Sequence, residues 1–280
     1  MTNKVKLLGL APLIIYMGIF LGIPLITIVK FSFLNTAGDF TLGNFQTISS
    51  GIYRDAFILS AQLSFISAAI SLFLGFIFAY AIATSKVLFF KKLVATASGV
   101  LANTGGVPLA FMFIAVLGTY GSLTSWLKNI GVELYGGGWT IYSFSGLLIV
   151  YLYFQVPLMV LLSLPVLSNI KKEWKDAAES LGGSSWVYWR RVLIPILMPQ
   201  LLGFFLLLFA NSFAAYATAA ALTSGSLALV PVQIASLIGS NVQVDGANIA
   251  MTLGLGMVIL VGLSTIGYAQ LERRSSRWRK

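Results

Sequence analysis

The sequence predicts an all-α polytopic membrane protein with six transmembrane helices. Three observations carry that expectation. Apolar residues make up 58% of the 280 positions and charged residues only 9%, whereas soluble domains carry about 25% charged residues. So few charges cannot clothe a water-facing surface. Six stretches reach the roughly 20 apolar residues that cross a hydrocarbon core of about 30 Å. Finally, the basic residues gather in alternate connections, which is the pattern of a chain threaded back and forth through a bilayer. The whole of 1–280 therefore reads as a single membrane domain.

The first span, near 7–33, follows Lys4 and Lys6. Its apolar run exceeds the about 7–15 residues of a signal peptide's central region, so it is expected to be a retained helix. The second, near 57–84, carries Ser67, Ser71, Gly75, Ala79 and Ala83, a small residue at every fourth position. Such a ridge lets another helix approach closely in lipid. Bundle packing is the preferred reading, and a sliding contact between subunits is the alternative. The third, near 93–119, contains Asn103, Gly105, Gly106 and Pro108, which together weaken a helix. That stretch either lines a pathway or is a kink packed against its neighbours. The fourth lies near 144–168, the fifth near 200–222 and the sixth near 247–270. The sixth opens on a shorter small-residue ridge, Gly246, Ala250 and Gly254.

All Lys and Arg residues except Lys30, Arg54 and Lys128 fall before span one, between two and three, between four and five, or after span six. The positive-inside rule then places both termini in the cytoplasm. The net charge of +10 is read as this topology signal and not as a nucleic-acid surface, and the arginine-rich tail suits anionic lipid.

Between spans four and five the chain turns polar. In "SNIKKEWKDAAES", Ser168 or Asn169 is placed to cap a short helix. Trp174, Ala177, Ala178 and Leu181 recur at helical spacing and form one apolar stripe. Gly182-Gly183 stops this helix, because glycine takes the left-handed conformation readily. Ser184 or Ser185 then caps a second short helix from Trp186 toward Val192. Pro195 and Pro199 lead into span five, with Trp186, Tyr188 and Trp189 at the membrane surface.

The order Asp176-Ala177-Ala178, three residues, Gly182, nine residues, Val192-Leu193-Ile194-Pro195 resembles the EAA loop of ABC importer permeases, the inner-membrane components of binding-protein-dependent transport systems. Asp176 stands where that family has Glu, one methylene shorter with the same charge. The resemblance implies a type I ABC importer permease fold, with a core at 57–270 and a cytoplasmic coupling loop at 169–199. It also implies roles. Asp176, Ala177, Ala178, Glu179, Gly182, Val192, Ile194 and Pro195 would form the coupling contact with a separate ATPase dimer, which holds the ATP and magnesium. A second permease subunit, identical or paralogous, and an extracytoplasmic solute-binding protein would complete the complex in a prokaryotic cell membrane. Stretches 146–167 and 209–223 look most like permeases of the spermidine/putrescine type. A polyamine is the expected solute, with a sugar, phosphonate or iron complex as alternatives.

Other classes fit less well. There is no histidine or cysteine, which removes the commonest general base, the commonest metal ligand and thiolate chemistry. No G-x-x-x-x-G-K-[ST] is present, so no cofactor is expected on this chain and it is not expected to be an enzyme. No Asp, Glu, Lys or Arg lies in the middle of a span, where the polar residues are neutral: Gln62, Asn103, Gln155 and Asn211. A proton-driven carrier needs ionisable groups there, which disfavours a stand-alone secondary carrier. Asn103, Gln155, Asn211 and Tyr216 are the candidates for lining a solute pathway, with hydrogen bonding between packed helices as the commoner role for each.

Overall fold

The computed structural model describes residues 11–85, 87–239 and 245–277. Lys4 and Lys6, the first residues of span one, Lys86, Arg279 and Lys280 lie outside the described residues. Among the described residues the chain is helical apart from loops and one isolated bridge, Leu34 to Phe40. The helices are α1 (Ala11–Ser32), α2 (Gly43–Ile48), α3 (Gly51–Thr84), α4 (Leu88–Asn103), α5 (Gly106–Leu117) and α6 (Ser122–Asn129). They continue with α7 (Phe144–Ser168), α8 (Lys172–Ser180), α9 (Ser185–Phe213), α10 (Ala217–Thr223), α11 (Val230–Gly239) and α12 (Gly246–Arg277). Six segments are long and apolar enough to cross a membrane, as expected: α1, α3, α5 with α6, α7, α9 and most of α12.

Two spans differ from their expected limits. The third does not run unbroken over 93–119. Thr104 and Gly105 are extended, and Gly106 has φ +75°, so α4 and α5 are separate helices. Pro108 does not kink a helix. It sits in the first turn of α5, where its missing N–H would have had no helical partner anyway. The fifth begins earlier and ends sooner than 200–222. It runs from Ser185 through both prolines and stops at Phe213, leaving Ala217–Thr223 as the separate α10.

Two π-helical turns explain how helices pass prolines. Gly18–Gly22 precedes Pro24, and Trp189–Leu193 precedes Pro195. A proline has no N–H to give and its ring crowds the carbonyl four residues back. Widening the preceding turn by one residue relieves that crowding without ending the helix.

The described chain divides into two compact units, one from residues up to Phe57 with Ala228–Ile259, the other from Ile58–Leu227 with Leu260 onward. In the first, the C-terminal end of α1 leaves carbonyls without helical partners. Side chains answer them. The Asn44 amide donates to the carbonyls of Ser32 (3.1 Å) and Leu34 (2.9 Å), and the Asn248 amide donates to Leu34 (2.9 Å). On α12 the close approach falls at Gly256, where a Cβ would lie 2.8 Å from the Phe57 ring, whereas Gly254 faces open space. Of the expected ridge Ala250 is buried, while Gly254 is not a contact point and Gly256 is.

In the second unit, the ridge on α3 packs within the chain, against α7. Ser67, Ser71 and Ala79 are fully buried. A Cβ on Gly75 would stand 2.5 Å from the Met159 Cβ and 2.9 Å from the Val156 carbonyl, so α3 and α7 touch backbone to side chain there. The same interface is polar at one level. Gln155 of α7 donates to the Ser67 hydroxyl (3.0 Å), which pairs with Ser212 of α9 (2.9 Å). Three helices are pinned in register by uncharged groups, as suits a site away from water.

Candidate functional site

The polar segment folds as a helix and a turn that lead directly into α9. Lys171 is the N-cap of α8 and makes no side-chain cap bond. The expected caps are otherwise engaged: Asn169 closes the end of α7, and the Ser168 hydroxyl bonds the Leu164 carbonyl (2.8 Å). At the other end the double glycine does two different things. Gly182 adopts φ +77°, and its N–H reaches the Glu179 carbonyl (2.9 Å). Gly183 returns to ordinary φ, but a Cβ there would sit 2.8 Å from the Ala178 carbonyl that its own N–H binds. One glycine is needed for conformation and the next for space. Ser184 then caps the start of α9, accepting from the Val187 N–H (3.4 Å).

The expected second short helix is not a separate element. Trp186 to Val192 form the first turns of α9, and the π-helical turn at Trp189–Leu193 carries the helix into Pro195. Leu193 and Tyr188 are buried, Val192 and Trp189 are half-buried, and Ile194 and Pro195 are exposed. Trp189 stands edge-on to Tyr80 (4.7 Å between ring centroids) and Phe76 (6.5 Å) of α3. Trp186 does not join them; it is 69% exposed.

The apolar stripe of α8 divides in two. Trp174 and Ala178 pack against a cluster of Ala79, Val160, Leu167, Tyr188, Leu193 and Leu197, to which α3, α7 and α9 all contribute. Ala177 is exposed, and Leu181 is 90% exposed. Leu181 leaves the stripe because Ser180 is the last helical residue and the chain is already entering the glycine turn. Asp176 is exposed and has no ion partner among the described residues, while Glu179 pairs with Lys175 (3.6 Å) on the exposed surface. Such an exposed pair adds little to stability. The outward side of this segment therefore offers Asp176, Ala177, Leu181 and Trp186 to solvent, on a base fixed by packing.

The four pathway candidates separate. Gln155 is fully buried in the three-helix polar contact and belongs to packing; its Oε1 has no hydrogen-bond partner among the described residues. Asn103, Asn211 and Tyr216 are exposed. Asn103 ends α4, Asn211 is in the last turn of α9 and Tyr216 caps α10, so all three border a helix break. Sequence reasoning missed what secures the breaks. The Thr218 hydroxyl accepts from the Gly106 N–H (2.8 Å) and donates to the Gly106 carbonyl (3.3 Å). The Tyr151 hydroxyl donates to the Ala215 carbonyl (2.9 Å). A threonine on a short apolar helix carries no sequence signal of such a role.

Residues 100–277 match the family described as "Binding-protein-dependent transport system inner membrane component". The chain belongs to this family. It is therefore a multi-pass inner-membrane protein of the ABC importer permease type. Over 155 residues it is 32% identical to the thiamine transport system permease protein ThiP of Escherichia coli (strain K12), a match covering 55% of this chain and 28% of that protein. It is 25% identical to the spermidine/putrescine transport system permease protein PotB of Salmonella typhimurium (strain SL1344), over 71% of this chain and 70% of that one. The chain spans between 28% and 56% of the length of the thiamine permease and several other curated relatives that it matches. Its fold is that of a chain in the crystal structure of a bacterial ABC transporter involved in the import of the acidic polysaccharide alginate. The TM-score is 0.72 at 17% identity, covering 99% of this chain and 97% of the other.

Proposed function

We propose that this permease forms half of the solute pathway of an ATP-driven, binding-protein-dependent importer, and that α8 with the glycine turn is where a separate ATPase drives it. One observation carries this reading: an exposed acid, an exposed alanine and an exposed leucine sit on a segment whose other side, through Trp174 and Ala178, packs against a cluster built from membrane helices. A push on such a helix is passed to α3, α7 and α9 and not absorbed locally. Exposed large apolar side chains beside charge are the composition of a protein contact. In this reading the coupling contact comprises Asp176, Ala177, Glu179 and Gly182, with Ala178 on the packed face behind them. Val192, Ile194 and Pro195 lie within α9, in and just after its π-helical turn, and pass the push along that helix; both termini lie on the ATPase side. The ATP and magnesium belong to the ATPase dimer. A second permease copy or paralogue supplies the other half of the pathway, and an extracytoplasmic binding protein delivers the solute.

Asn103, Asn211 and Tyr216 are the residues we assign to the pathway wall, with Gln155 as a packing residue behind it. The solute we propose is small and polar, such as a polyamine. Support comes from the spermidine/putrescine permease among the relatives and from the neutral polar groups at the breaks. Thiamine is the second choice, on the identity to the thiamine permease.

The test is co-purification with the ATPase together with uptake of radiolabelled solute. Asp176→Lys, which reverses the charge of the contact, and Gly182→Val, which strains the turn at φ +77°, are expected to abolish uptake at an unchanged level of protein in the membrane. Unchanged ATPase capture and uptake in both variants refutes the coupling role. Thermal-shift screening of the partner binding protein against spermidine, putrescine and thiamine decides the solute.

A further inference from the structure

A cavity of about 360 Å³ opens on the side of α3 and is lined only by apolar and aromatic side chains. That volume lies in the range of ligand pockets. From α3 come Leu72, Phe73, Phe76, Ile77 and Tyr80; Trp189 and Leu201 of α9 close the other side. Both helices are membrane spans, and Phe73 at 67% and Ile77 at 46% exposure form the open rim. The groove therefore faces the surroundings of the second unit. From Leu72 to Tyr80 it extends about 12 Å at the helical rise, close to the ~15 Å hydrocarbon depth of one leaflet.

Its two ends differ in chemistry. The Leu72 and Leu201 end has no polar group. The other end carries Tyr80 and Trp189, the residue types that settle at the level of lipid headgroups. Arg190 and Arg191 follow Trp189 immediately in the π-helical turn, and both are exposed. Neither has a carboxylate within ion-pair distance among the described residues. Lys91 is close to the same end of α3, donating to the Ala83 carbonyl (2.8 Å). An apolar slot about one leaflet deep, with two exposed arginines next in sequence to the Trp189 that lines it, matches one class of molecule, an anionic glycerophospholipid.

We propose that this groove holds one acyl chain of an anionic phospholipid, with its phosphate at Arg190 and Arg191. Trp189 and the two arginines open the π-helical turn together, the ring lining the groove and the arginines exposed. Arginine suits the task, since its planar fork matches phosphate oxygens. The site is independent of whether α8 docks an ATPase, and its test needs neither ATPase nor solute.

The full chain is placed in phosphatidylcholine nanodiscs and titrated with phosphatidylglycerol brominated on its acyl chains, with tryptophan emission as the readout. Brominated phosphatidylcholine is the control. The expected result is quenching that Trp189→Phe removes, saturating at a mole fraction about fivefold lower for the anionic lipid, the effect of roughly one basic side chain at an anionic surface. Arg190→Gln with Arg191→Gln alters only exposed positions; it is expected to erase the fivefold preference and keep Trp189 quenching at high lipid fraction. Leu72→Trp, which adds a ring at the deep end, is expected to gain a quenched component. Equal saturation by both lipids in the unaltered chain overturns the proposal in favour of headgroup-blind boundary lipid. If no quenching depends on Trp189, and the Leu72→Trp variant gains none, the proposal is overturned in favour of a protein helix, such as that of a second copy, lying in the groove.

Discussion

Replacing Leu181 with alanine separates the two faces of the coupling segment more cleanly than any other change. In the isolated chain the side chain is 90% exposed, so its loss removes almost no intramolecular contact. Folding stability should move by no more than about 0.5 kcal/mol, as for other surface substitutions. If Leu181 enters a cleft on the ATPase, the same truncation removes apolar atoms worth about 0.8 kcal/mol per buried methylene. The sum is about 2 kcal/mol after allowing for incomplete burial, or roughly a 30-fold rise in Kd. The assay is titration of the nanodisc-embedded chain with labelled ATPase, followed by thermophoresis, beside a thermal melt of the chain alone. Trp174→Ala is the counterpart. It empties a site packed against the cluster that includes Ala79, Leu167 and Tyr188 and should lower the melting midpoint, as large-to-small changes in packed sites do. An L181A chain that binds the ATPase with unaltered Kd refutes the argument, because it would mean that the exposed leucine faces nothing in the complex.

Two further expectations concern the helix contacts. Gly75→Leu puts a branched side chain where even a Cβ would meet Met159 at 2.5 Å. Overpacking of this kind costs about 1–3 kcal/mol or more, so melting midpoints in detergent should fall in the order Gly, Ala, Leu at position 75, and a wild-type midpoint for leucine contradicts the contact. Thr218→Val keeps the shape and deletes the hydroxyl that holds both polar groups of Gly106. The buried loss should be about 1–3 kcal/mol and should appear as faster hydrogen exchange at the Gly106 amide, with exchange in α7 unchanged; an unchanged Gly106 rate contradicts the clamp.

Much of the molecule is legible in one dimension because a bilayer enforces simple rules. A backbone in hydrocarbon must satisfy its own hydrogen bonds, so an apolar run of sufficient length has to be a helix, and six such runs were readable. The left-handed turn at Gly182 was readable for a similar reason: among the twenty residues only glycine takes φ +77° without strain. The family loop was readable because its parts are local, an acid, two alanines and a glycine at set spacing. Gly105, Gly106 and Asn103 likewise announced a weakened helix.

What stayed hidden depends on neighbours distant in sequence. Helical periodicity grouped Leu181 with Trp174 and Ala178, but only the arrival of α3 and α7 beneath α8 divides that stripe into a packed side and an open one. Gln155 and Asn211 are alike as isolated polar residues in apolar helices. Ser67 and Ser212, both far from Gln155 along the chain, hold the first in a buried contact, while the second is exposed among the described residues. The prolines suggested that α9 begins after Pro199, yet a π-helical turn carries the helix through Pro195. The sequence by itself determined which segments cross the membrane and where the chain turns, since those follow from local backbone chemistry and hydrocarbon thickness. Tertiary structure alone decided which side of each helix is free to meet a solute, a lipid or a partner, because exposure is a property of the packed bundle and not of any residue within it.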